Sequence, residues 1–112
     1  MTSEEAARLM EALKKAMVAV VERYACYREF SGYVQDVMGA LESEMLKSGE
    51  ATTRLFLAEC SLAEFEYAAW GFLELARKHG LPFVEHLEQL ANEKGWTDYL
   101  EDMISEARAE VE

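Results

Sequence analysis

Apolar side chains recur along this chain at steps of three and four residues, the spacing that gathers them on one side of an α-helix. From the amino end, Leu9, Leu13, Met17, Val20, Tyr24 and Tyr27 form such a stripe, and Phe30, Val34, Val37, Met38, Leu41 and Met45 continue it in phase. Ser3, Glu4 and Glu5 suit a helix start: a capping hydroxyl, then acids where the helix dipole favours negative charge. An unbroken helix over residues 4–48 would run about 68 Å, far longer than a compact domain of this size is wide. A break or sharp kink near Gly32 is therefore expected.

A second stripe holds Leu55, Ala58, Leu62, Phe65, Ala69, Phe72, Leu73 and Ala76, with Thr52 or Thr53 as its cap. The segment Ser61-Leu62-Ala63-Glu64 matches a capping box, where the chain could restart. The continuous register favours one helix from Thr52 to about His79. Gly80 and Pro82 mark the next boundary, one suited to ending a helix and the other to beginning the next. Phe83, Leu87, Leu90 and Ala91 then carry a helix to Lys94-Gly95, and Thr97 is placed to cap a last one through Leu100, Ile104 and Val111. The expected fold is all-α: an antiparallel helical bundle of four to five helices with short loops, forming one domain over residues 1–112.

Composition agrees and adds limits. The 112 residues are 51% hydrophobic, with 6 Gly and 1 Pro, too apolar for a disordered chain and too poor in turn residues for a β fold. The longest apolar run, Ala16 to Val21, is far short of a membrane span. The acidic start, Met1-Thr2-Ser3-Glu4-Glu5, is unlike the basic start of an export signal, so a cytoplasmic location is expected. Twenty-two acids against 11 bases give a net charge of −11, which repels a phosphate backbone and disfavours direct nucleic-acid binding. Six of those acids (Asp98, Glu101, Asp102, Glu106, Glu110 and Glu112) crowd the carboxyl end beside the single Arg108, a surface suited to a basic partner.

Candidate chemistry is sparse. Glu22 and Glu29 share a helix face, as do Glu59 and Glu66, but di-iron bundle sites also need Glu-x-x-His pairs, and the chain has none. His79 and His86 have no ligand-spaced neighbour; His79, in a last helical turn, is expected to serve as a cation against the dipole. Cys26 and Cys60 are too few for a disulfide framework and are expected off the main stripes. No metal, cofactor or catalytic residue is assigned. Glu59, Glu66, Trp70 and Arg77 make a candidate pocket along one helix edge, with Glu66 and Arg77 as an expected ion pair.

The clearest functional sign is apolar girth. Val18 faces away from the stripe carried by Met17 and Val20, while Phe65, Tyr67, Trp70 and Phe72 point in several directions around one helix. Val18, Val21, Tyr67 and Trp70 are therefore the candidate interface. The leading expectation is a non-catalytic interaction or regulatory module that forms a homodimer and presents an acidic face. Two alternatives are a small enzyme or ligand-binding bundle using the candidate pocket, and an acidic mimic of nucleic acid that blocks a basic protein.

Overall fold

The computed structural model describes residues 3–27 and 32–111, nearly all of them helical. Helix α1 (Ser3–Tyr27) carries Glu4 and Glu5 in its first turn and buries Leu13, Met17 and Val20, the centre of the expected stripe. Helix α2 (Gly32–Ser48) buries Met38, Leu41 and Met45 and packs against α1 more extensively than any other two elements pack among the described residues. Helices α1 and α2 therefore pack together instead of running on as one rod; residues 28–31 lie outside the described residues. The Cα positions extend 36 × 35 × 24 Å with a radius of gyration of 13.5 Å, close to the roughly 13 Å expected for this length.

The expected long helix from Thr52 to His79 is not one helix. Helix α3 (Glu50–Glu59) ends at Cys60, whose backbone is extended, and α4 (Leu62–Ala68) restarts at once. The capping box prevails over the apolar register: Ser61 Oγ accepts from the Glu64 N–H at 3.2 Å, and the Ser61 N–H donates to the Glu64 carboxylate at 2.8 Å. A 3₁₀ turn (Ala69–Gly71) joins α4 to α5 (Phe72–His79), so these read as one interrupted rod. Helices α6 (Leu81–Lys94) and α7 (Thr97–Ala109) complete the order. Counting α4 to α5 as one, six helical segments are described, against the four or five expected.

The break reassigns several residues. Thr52 and Thr53 are not caps but buried members of α3, where Thr53 Oγ1 donates to the Met45 carbonyl at 2.9 Å; the cap position belongs to Gly49. Thr97 likewise sits inside α7, with Trp96 in the cap position. Leu55, expected in the core, is 64% exposed, whereas Cys60, expected off it, is buried. Two lysines close helix ends at long range: Lys78 Nζ donates to the Leu46 carbonyl near the end of α2, and Lys94 Nζ to the Ala58 and Cys60 carbonyls at the end of α3. Each supplies a donor to carbonyls that lack an intrahelical partner.

The core is one connected cluster to which every helix contributes. Phe65 and Phe72 meet edge to face at 5.2 Å, Phe72 meets Phe83 at 6.3 Å, and Trp96 lies against Phe65 at 5.7 Å. Such pairs add about 0.5–1.5 kcal/mol beyond the area they bury. The 3₁₀ turn sits hard on α2: a Cβ on Gly71 would come within 3.0 Å of Met45 Cε and 3.1 Å of Glu42 Cγ. That close seat fixes where Trp70 leaves the core.

Candidate functional site

Trp70 and Glu66 are four residues apart, and both line a pocket of about 350 Å³. Tyr67, between them on α4, stacks at a tilt on Tyr24 of α1 with ring centroids 5.0 Å apart. These residues form the aromatic wall. Phe72, Leu73 and Met38 supply an apolar floor from α5 and α2, and α7 closes the far side with Met103 and Glu106. The pocket thus draws on five of the seven helices. Among the described residues no lysine, arginine or histidine lines it, and neither Glu66 nor Glu106 makes an ion pair or a side-chain hydrogen bond. Burial, with Tyr24 and Glu66 close by, pushes the Tyr67 phenol above its ordinary value and keeps it protonated.

The remaining candidate pocket residues lie elsewhere. Glu59 is exposed and faces Lys14 of α1 at 3.8 Å. Arg77 pairs with Glu74 one turn back and with Glu110 at 2.9 Å, not with Glu66. The Glu110 bond holds the guanidinium above its usual value and the Glu110 carboxyl below its own. The expected set of four therefore reduces to Glu66 and Trp70, joined by Tyr24, Tyr67, Met103 and Glu106 from across the fold. Glu106 was legible only as part of the acidic carboxyl-terminal run.

The candidate interface residues sit on α1 and on or just after α4. Val18 lies beside Glu64 at the start of α4, and further along α1 Tyr24 meets Tyr67, so the two helices lie side by side. Val18 is 54% exposed, Val21 39% and Trp70 47%, with Tyr67 half-buried between them. The width of apolar surface on the second stripe has a different origin from the one expected. Once the rod breaks at Cys60, Phe65 and Phe72 both turn inward and only Trp70 remains largely outside.

The other reactive side chains are structural. Cys60 Sγ is buried and donates to the Phe56 carbonyl at 3.4 Å; burial pushes its thiol up to about 12. The Cys26 side chain lies outside the described residues. His79 packs on Phe83 at 5.8 Å, and burial lowers its pKa, so it is neutral near pH 7 and does not act as the expected cation. His86 is lowered by the same cause. Among the described residues no three His, Cys, Asp or Glu side chains gather to hold a metal ion, and no helix is long and apolar enough to cross a membrane. No protein-family model, curated protein or solved structure matches the chain.

Proposed function

We propose that this chain is a non-catalytic interaction module that pairs with a second copy of itself along the α1/α4 edge and offers its acidic side to a basic protein. The reading rests on one observation above all: Val18 and Val21 of α1 and Trp70 just after α4 are large apolar side chains left exposed, and α1 and α4 meet through the Tyr24–Tyr67 contact. Removing apolar surface from water is worth about 25 cal/mol per Å², and contiguous exposed apolar side chains are the usual mark of an association surface. Charges of both signs flank the edge on α1, Lys14 and Lys15 against Glu11 and Glu22. A two-fold axis can set such a mixture against itself, because a residue on one copy meets its complement on the other.

The basic partner is argued from α7, where Asp98, Glu101, Asp102 and Glu106 are all exposed. Attraction of that kind weakens with salt. Light scattering coupled to size exclusion, run over a wide concentration range, tests the pairing. A dimer is expected for the natural chain and a monomer for Val18→Glu combined with Val21→Glu. A natural chain that stays monomeric at the highest concentration overturns the reading.

A further inference from the structure

We propose that the aromatic pocket between α4 and α7 binds a small organic cation, an ammonium group carrying alkyl substituents and an apolar body. The inference goes beyond self-association: the pocket shares its aromatic wall with the proposed pairing edge, and its charge comes from Glu66 and Glu106, which that edge does not use. Its first ground is charge: Glu66 and Glu106 approach one pocket from different helices, and no basic side chain among the described residues neutralises either. A cavity with two uncompensated carboxylates repels anions and makes a neutral apolar guest strip water from acids it cannot partner.

The second ground is the wall. Tyr24, Tyr67 and Trp70 all line the same space. A substituted ammonium over such rings is attracted by the ring quadrupole, most strongly when water is excluded. A hard metal cation instead needs a shell of six to eight oxygens, or an octahedral one, which two carboxylates and a lining of rings and thioethers do not provide. Alkyl groups on the ammonium add apolar surface for Met38, Phe72 and Leu73 to cover. The third ground is size, since a volume of about 350 Å³ falls at the small-molecule end of ligand sites.

The test is titration of the full chain with benzyltrimethylammonium, followed through the indole N–H resonances of Trp70 and Trp96 by NMR. Trp96 packs on Phe65 in the core, so it serves as an internal control. A saturable shift of the Trp70 signal is expected at millimolar concentration, with no matching response to benzyl alcohol or benzoate. Removing both charges in Glu66→Gln with Glu106→Gln is expected to weaken binding by about tenfold, the ratio set by 1.4 kcal/mol. If the double variant loses its helical circular dichroism, the two single variants are measured instead, each expected to bind more weakly than the natural chain. These substitutions leave Val18, Val21 and Trp70 in place, so loss of ligand binding with pairing intact separates the two proposals. The inference is overturned by no saturable response, by equal affinity for benzyl alcohol, by a response confined to Trp96, or by carboxamide variants that bind as well as the natural chain.

Discussion

Two regions of the molecule hold polar groups that lack partners, and they differ in kind. Between α3 and α6, Arg54 Nε, His79 Nε2 and His86 Nε2 are buried without a hydrogen-bond partner among the described residues. Arg54 is otherwise tied down, with its Nη2 donating to Glu50 and, at 3.2 Å, to the Pro82 carbonyl. Both imidazoles meet their burial by giving up the proton, which reduces the cost to that of a missing hydrogen bond. The α4/α7 pocket instead is lined by two carboxylates, Glu66 and Glu106, from different helices.

The regions are not isolated, because Phe72 floors the pocket while its ring meets Phe83, and Phe83 in turn carries His79. The largest effect is therefore expected from Phe72→Ala, a loss of about 3–5 kcal/mol in urea unfolding, as for other fully buried phenylalanines. It should weaken both regions; unchanged packing around His79, read from its ring resonances, would show that they are independent. A smaller loss, roughly 1–3 kcal/mol, is expected from Gly80→Ala, because φ of +81° and ψ of −167° lie in a region that only glycine enters freely. That variant should disturb the histidine joint and leave the Trp70 response to benzyltrimethylammonium as it was.

The smallest effect concerns pH. Burial lowers both histidine pKa values below 6.5 in the folded chain, so between the folded and unfolded values the unfolded chain binds more protons. Stability is then complete above about 6.5 and declines as pH falls through that value, until the folded histidines protonate in turn. The urea midpoint should fall between pH 8 and pH 5.5, and His86→Leu should flatten the decline. An unchanged slope in that variant would move the origin to the carboxylates.

What the chain reveals of itself follows from how local each determinant is. The α1 stripe at Leu13, Met17 and Val20, the turn at Gly80 and the left-handed Gly95 after Lys94 all depend on neighbours within a turn or two, and each is where the pattern places it. The break at Cys60 was local as well, but two local rules conflicted there. Apolar spacing alone does not say which apolar side faces inward, and Leu55, in perfect register, faces water. Glu66 and Trp70 were legible together because one helix carries both. Tyr24, Met103 and Glu106 join them only through packing of α1 and α7, and Arg77 finds Glu110 across 33 residues, so neither association leaves a trace in spacing.

The thiol at the α3–α4 corner gives this molecule its own clock. Because Cys60 is buried and reluctant to lose its proton, it is expected to react with an alkylating reagent mainly while that corner is open. In a Cys26→Ser background, the labelling rate under native conditions is expected to follow those openings, and removing Lys94, which donates to the Ala58 and Cys60 carbonyls, is expected to raise it.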